Sequence, residues 1–418
     1  MYRMRRIFLL ILAVLSRLGT RRRSPIQRIL VLKPDALGDL LLATPALRQL
    51  RVALPEAQIT GLVGPWSRVI WATNPDLDVL LDLPFPGFTR ASPNPLHPYW
   101  LLLRYAVLLR RSRYDAALLL RDDHWWGAAL VALAGIPRRI GHAHPLCAPF
   151  LSDALPYDPT AHVTGQSHDV VCKLREFERD SSPAVRGSRR QEAGGRKQEA
   201  GGRRQEAGDA TVFLPPATCL LPPASCLRFT PDHAAQAWAA EWIATNLTPG
   251  ERLVAIHPGA SGPTKAWPPE RWAALSDALA AQNLRIVLTG GPAEVDLAAH
   301  ISRLMRHPAL SVAGATGIGQ LAALLGHAAL VVGGDTGPLH IAVSQGVPTI
   351  HLFGPSDPGR FGPWGDPTQN IVLRASVPCS PCSSFDVCPR HTDPVECMDR
   401  IALSTVLRTA HTLLKRIR

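Results

Sequence analysis

The sequence predicts an α/β protein built as two domains, and three observations carry that expectation. Short apolar runs alternate with longer mixed segments from residue 29 to about residue 178. The same rhythm, which is that of βαβ units in a parallel sheet, resumes after residue 250. At 418 residues the chain also exceeds what one ordinary core fills.

In the first half, strands are expected at 29–33, 59–63, 79–83 and 116–120, with helices at 40–52 and 101–111 between them. Residues 181–230 break the pattern. Gln-Glu-Ala-Gly recurs there three times at seven-residue spacing, each time after Arg or Lys, followed by two copies of a Leu-Pro-Pro-Ala segment. Such repeats are too few for a solenoid and too poor in apolar residues to bury one, so they read as a disordered insertion. In the second half, strands are expected at 253–257, 285–289, 329–332 and 349–353. Helices at 269–281, 293–305, 318–325 and 338–343 would cover both faces of that sheet. The resulting division is a basic and apolar N-terminal segment (1–28), a first domain (29–180), the insertion (181–230), a second domain (231–397) and a C-terminal helix within 398–418.

The net charge of +12 is concentrated rather than spread. Residues 1–28 carry eight arginines and no acid, and residues 186–209 carry seven basic and four acidic residues. The remaining body is near neutral, so a basic groove for nucleic acid is not expected. The apolar run near the N-terminus is too short to span a bilayer of about 30 Å and is followed by Arg21-Arg22-Arg23 rather than a cleavage site. It reads as an anchor on an anionic membrane surface or as a locally packed helix. The expected location is cytoplasmic, peripheral at the inner face of the plasma membrane.

Three segments carry residues suited to chemistry, each placed where a strand passes into a helix. In Lys33-Pro-Asp-Ala-Leu-Gly-Asp39, Gly38 permits a turn and Asp39 opens a helix whose N-terminus favours the ionised carboxylate. Such a carboxylate can accept a proton from a hydroxyl, or simply cap the helix. In His257-Pro-Gly-Ala-Ser-Gly-Pro-Thr-Lys-Ala-Trp-Pro268, backbone N–H groups, Ser261, Thr264 and the Lys265 ammonium suit a diphosphate. Thr289-Gly-Gly-Pro-Ala-Glu294 adds Gly290, Gly291 and Glu294 one unit later, the glycines permitting close approach to the backbone. In Gly333-Gly-Asp-Thr-Gly-Pro-Leu-His340, Pro338 starts a helix aimed at an anion. Thr336 and Gly337 can donate to phosphates there, whereas Asp335 shares the phosphate's sign and suits a hydroxyl.

Taken in order, Gly38-Asp39 with a following Thr-Pro, His-Pro-Gly-Ala with Lys-x-Trp-Pro, and Gly-Asp-Thr-Gly-Pro-x-His with Gly-Val-Pro-Thr and Phe-Gly-Pro resemble glycosyltransferase family 9, the ADP-heptose:lipopolysaccharide heptosyltransferases. The resemblance runs from about residue 29 to the C-terminus, interrupted by the insertion. It implies a GT-B architecture, two Rossmann-like domains facing a cleft, with the acceptor on the first and a nucleotide sugar on the second. It implies an inverting transfer with no essential metal and no required cofactor. Asp39 matches the family's general base, with Gly38 and Lys33 in the acceptor-side loop, and Lys265 and the Asp335-Thr336-Gly337 turn with His340 match donor-binding positions. The implied partners are a nucleotide-diphosphate sugar, ADP-heptose foremost, and a lipid-linked glycan acceptor.

Other signals are weaker. Gly317-Ile-Gly-Gln-Leu-Ala322 fits a dinucleotide fingerprint and would suit an NAD-type Rossmann oxidoreductase, but the expected acidic residue about 20 positions on is replaced by the Asp335 turn. A third reading is a non-catalytic sugar-nucleotide-binding protein. Cys379, Cys382, Cys388 and Cys397 form a pattern open to a structural zinc, an iron–sulfur cluster, or plain thiols. Asp76, Asp78, Asp122 and Asp123 could be read as metal carboxylates but are more cheaply explained as turn and cap residues, and the tryptophans, among them Trp125, Trp126 and Trp364, could stack on a sugar or lipid, with core packing expected for most.

Overall fold

The computed structural model describes residues 26–88, 94, 96–181, 211–213 and 226–416. The arginine-rich N-terminal segment and the seven-residue repeats therefore lie almost wholly outside the described residues.

The first domain runs β1 (Arg28–Lys33), α1 (Leu37–Leu42), α2 (Thr44–Ala53), β2 (Gln58–Val63), α3 (Arg68–Ala72), β3 (Val79–Asp82), α4 (His97–Arg111), β4 (Ala116–Leu119), α5 (Trp125–Leu133), β5 (Arg138–His142), β6 (Asp153–Leu155) and α6 (Val163–Ser181). Its sheet has the order β3-β2-β1-β4-β5-β6 with all pairs parallel. β1 is buried along Ile29–Lys33, as a central parallel strand covered on both faces must be.

The second domain begins with β7 (Thr211–Phe213) and α7 (His233–Asn246), then β8 (Arg252–His257), α8 (Pro269–Ala280), β9 (Leu284–Leu288), α9 (Val295–Leu304), β10 (Leu310–Ser311), α10 (Ile318–Gly326), β11 (Ala328–Gly334), α11 (Gly337–Ser344), β12 (Thr349–Phe353), α12 (Pro358–Phe361), β13 (Asn370–Arg374), α13 (Glu396–Asp399) and α14 (Leu403–Arg416). Its order is β10-β9-β8-β11-β12-β13-β7, parallel except for β7, which pairs antiparallel with β13 at the edge. Six strands of each domain thus share one doubly wound topology, whose order reverses between β1 and β4 and between β8 and β11. Ligand crevices open at such reversals. α14 buries Val406, Ala410, Leu413 and Leu414 at helical spacing against the second sheet, so the C-terminal helix belongs to that domain's core.

Local chemistry moves several sequence expectations. The helix expected over 40–52 is two helices meeting at Ala43, because Pro45 stands in the first turn of α2 and the Thr44 hydroxyl donates to the Leu41 carbonyl at 2.7 Å. Parts of the expected disordered insertion are ordered: Thr211–Phe213 forms the edge strand, and Leu227 and Phe229 are buried. The stretch from 226 to 230 stitches both domains together. The Arg228 amide donates to the Thr44 hydroxyl at 2.9 Å, and Gln345 Nε2 donates to the Phe229 carbonyl at 2.8 Å. A composition reading misses these residues because a few apolar side chains inside a repeat-rich stretch suffice to anchor it.

α1 packs directly on α11, so the two domains touch through the helices that follow β1 and β11. The contact extends through Arg360 to Asp122 at 3.0 Å, and His162 Nε2 lies 3.2 Å from the Gly362 carbonyl oxygen.

Candidate active site

One cavity of about 490 Å³ lies between the domains. Asp39 and Gly38 line it from the first domain. From the second come Ser261, Lys265, Gly290, Gly291, Glu294, Asp335, Thr336, Gly337 and His340. Four separate strand-to-helix junctions therefore deliver their residues to one space.

Asp39 sits in the first turn of α1, half-buried on the cavity wall. Its surroundings push the carboxyl up to about 7. Burial is the main cause and Asp35 the next, against the opposing pull of Lys33 and Arg121; Asp335 across the cavity adds a smaller upward push. The sequence expectation was the opposite, an ionised form favoured by the helix N-terminus. α1 has only six residues, and two facing carboxylates plus desolvation outweigh so short a dipole.

Arg121 and Asp35 are the functional neighbours that sequence reasoning missed. Arg121 Nη1 lies 2.5 Å from Asp35 Oδ1, and its Nε 2.6 Å from Asp123 Oδ1. Arg121 follows β4, the strand beside β1, so only the sheet order brings it to Asp39. The rule that ligand groups gather at the ends of β1 and β4 was the one signal available for it. Lys33, expected in the acceptor loop, is buried instead. Its ammonium donates to the Leu120 carbonyl at 2.9 Å and pairs with Asp35 at 3.1 Å, so it holds the loop from beneath.

Gly38 acts by closeness rather than by a turn. A Cβ there would meet His340 Cδ2 at 3.0 Å and Gly337 Cα at 3.4 Å, and one on Gly337 would meet Leu37 Cβ at 3.3 Å. The paired glycines let α1 and α11 approach, which sets Asp39 against the Asp335 turn.

Lys265 and Asp335, expected to meet different parts of a ligand, form a buried ion pair at 2.7 Å. The ammonium also donates to Ser261 Oγ at 3.2 Å and sits 4.9 Å from the centroid of the Phe385 ring. Thr336 caps α11 from an extended backbone without a side-chain capping bond, its hydroxyl donating back to the Gly334 carbonyl at 3.4 Å, which leaves the helix N-terminus facing the cavity. His340 is buried and held neutral, its pKa pushed down to about 4 by burial. Glu294 Oε2 accepts from the Gly291 amide at 2.7 Å, shaping the glycine turn that it follows. Thr264 leaves the expected set: its hydroxyl donates to the carbonyls of Ser384 and Phe385, both at 2.8 Å, and so fixes the cysteine-bearing loop instead of a ligand. His257, the first residue of the His-Pro-Gly-Ala motif, also lines the cavity, as do Ser356, Phe361 and Phe385, which were not singled out in the sequence.

Gly317, the start of the apparent dinucleotide fingerprint, is the cap of α10, its amide bonded to Gln320 Oε1 at 3.0 Å. The four C-terminal cysteines form no disulfide and line one small crevice, where burial and the other three push Cys397 up to about 11. Among the described residues no group of His, Cys, Asp or Glu side chains is arranged to hold a metal ion. The acidic pairs are ion-paired rather than free turn residues: Asp76 with Arg48, Asp78 with Arg51, Asp122 with Arg360 and Asp123 with Arg121.

Two doubly wound domains with a shared cavity at both topological switch points define the GT-B class of nucleotide-sugar enzymes. The family model described as Glycosyltransferase family 9 (heptosyltransferase) matches residues 102–388, and the chain belongs to that family and is a glycosyltransferase. It is 25% identical to lipopolysaccharide heptosyltransferase 3 of Escherichia coli K12 over 349 residues, covering 80% of this chain and 84% of the relative. A shorter match, 33% identical over 137 residues, covers 31% of this chain and 36% of lipopolysaccharide heptosyltransferase 1 of Pseudomonas aeruginosa. Among solved structures, a family 9 glycosyl transferase from Veillonella parvula superposes with a TM-score of 0.70 at 22% identity, covering 93% of this chain and 98% of that one. The E. coli ADP-heptose lps heptosyltransferase II gives 0.67 at 19%, covering 94% and 99%.

Proposed function

We propose that this glycosyltransferase is an inverting enzyme that transfers heptose from ADP-heptose to a lipid-linked lipopolysaccharide-core acceptor, with Asp39 as general base. The observation that carries the reading is the placement of Asp39 across one cavity from Lys265, Asp335 and the open N-terminus of α11. The donor and acceptor follow the names of its relatives, among them the ADP-heptose lps heptosyltransferase II and the lipopolysaccharide heptosyltransferases.

In this mechanism the acceptor hydroxyl lies against Asp39. As its oxygen bonds to the anomeric carbon from the face opposite the leaving group, its proton passes to the carboxylate and the carbon–oxygen bond to the diphosphate breaks. A base with a pKa near 7 suits proton transfer at neutral pH. The departing diphosphate gains charge, which the α11 N-terminus and Lys265 balance. In the ligand-free arrangement Asp335 already neutralises Lys265. Diphosphate binding would draw the ammonium toward phosphate and free Asp335 to accept from a sugar hydroxyl. Glu294 and the Gly290-Gly291 turn would take the nucleoside end, and Thr336 and Gly337 would donate to the phosphates.

The test is ADP release from ADP-heptose with a lipid A–core acceptor, for the native chain and for Asp39→Ala. The reading predicts loss of turnover with donor binding retained. If no nucleotide sugar is bound or consumed, the reading fails. Turnover unchanged in Asp39→Ala would remove the base.

A further inference from the structure

Among the described residues, none covers one apolar face of helix α4. Leu96 at its N-cap and Trp100, Leu103 and Val107 within it are 69, 56, 52 and 56% exposed. Leu101, Leu102, Ala106 and Leu109 are buried on the opposite side. At about 100° per residue the four exposed side chains share an arc of about 60°. Arg104 and Arg111 flank one edge of that arc and Arg110 the other, all exposed, and the helix carries no acid. The Arg104 guanidinium sits 5.2 Å from the centroid of the Trp100 ring, so the two head groups lie together at the helix surface. The N-terminal end of α4 is fixed to the acceptor side of the molecule, where Trp126 Nε1 donates to the Pro98 carbonyl at 2.8 Å. From there Trp126 and Phe85 lead to His124 and Phe88, and Arg121 lies over the Phe88 ring.

We propose that this face of α4 is a membrane-docking surface that seats on anionic phospholipid headgroups. An apolar stripe with a tryptophan, edged on both sides by arginines, matches an interface where rings and aliphatic side chains enter the acyl boundary and guanidinium groups reach phosphates. Charge selects among the occupants. A second copy would set like arginine rows against each other, and the N-terminal segment, with eight arginines and no acid in residues 1–28, would be repelled in the same way. The inference deepens the lipid-linked acceptor reading and rests on it for its biological sense. It is measured without donor or turnover, so the two can fail separately.

The experiment is co-sedimentation of the full chain with vesicles of phosphatidylcholine alone and of phosphatidylcholine with phosphatidylglycerol. Arg104→Gln/Arg110→Gln/Arg111→Gln should weaken partition onto the anionic vesicles by about a hundredfold, from about fivefold per arginine near such a surface, with little change on the neutral ones. Leu103→Glu/Val107→Glu should weaken it at least tenfold, and thermal unfolding checks that each variant is folded. Residues 1–28 are the same in every variant, so any contribution they make cancels in the ratios. Partition unchanged in both folded variants overturns the proposal. So does a native chain that self-associates in solution and becomes monomeric in Leu103→Glu/Val107→Glu, because the face would then belong to a second copy.

Discussion

Asp39→Asn tests the electrostatics of the cavity through stability and rate together. The folded protein raises this carboxyl from an ordinary value of 3.8 to about 7, so between those values the folded state holds more protons than the unfolded chain. Stability therefore falls as pH rises through that window, and the cost is complete above about pH 7.5. At about 1.36 kcal/mol per unit the full shift corresponds to about 4 kcal/mol. Asp39 is only half-buried, so about 1–3 kcal/mol is expected after solvent screening. Asparagine cannot ionise and escapes this cost. In urea unfolding the variant should match the native protein near pH 4, gain on it up to about pH 7.5 and hold a constant lead above. The same substitution should cut kcat by about 10²–10⁴, the usual contribution of a positioned general base. For the native enzyme, kcat/KM should fall as pH drops below about 7. A variant that is less stable than the native protein at every pH, or a native rate that is flat from pH 5.5 to 8, would refute the reasoning.

Removing Lys265 should strand Asp335: Lys265→Met is expected to destabilise by about 3–5 kcal/mol and to weaken donor binding, whereas Lys265→Met/Asp335→Leu should recover much of the stability but not the binding. Chemical unfolding and calorimetric titration with ADP-sugar distinguish the two effects, and additive losses would contradict the pair. Gly38→Ala should lower kcat/KM by about tenfold, less than the hundredfold of a 1 Å displacement, because the new Cβ presses on His340 and Gly337. Its unfolding free energy should change little, since alanine's better helix propensity of about 1 kcal/mol offsets the crowding. Arg121→Gln removes a charge that holds the Asp39 pKa down, so the acid limb of its rate profile should move to higher pH; a downward shift would sink the assignment.

Much of this protein was legible in its sequence. The period of apolar runs marked eight strands of the two sheets to within a few residues, since a strand buried on both faces writes a continuous apolar segment. The Asp39, Lys265 and Asp335 motifs announced themselves by standing just after such strands, where glycine or proline opens the following turn or helix. The three-residue edge strands Thr211–Phe213 and β6 left no comparable trace, because so short a segment holds too few residues for an apolar period to register.

What tertiary structure alone decided was pairing across distance. Lys33 and Thr264 looked like ligand groups and became supports, because their nearest partners are carbonyls brought in from residues 120, 384 and 385. Asp39 looked like an ionised helix-capping acid, and its character changed when burial, Asp35 and Asp335 converged on it. The sequence by itself determined which strand ends carry carboxylates, ammonium and glycine turns, since local pattern encodes strand-to-helix junctions. Which of those groups face each other, and hence their charge state, depends on strand order and domain contact, quantities that no local window of residues contains.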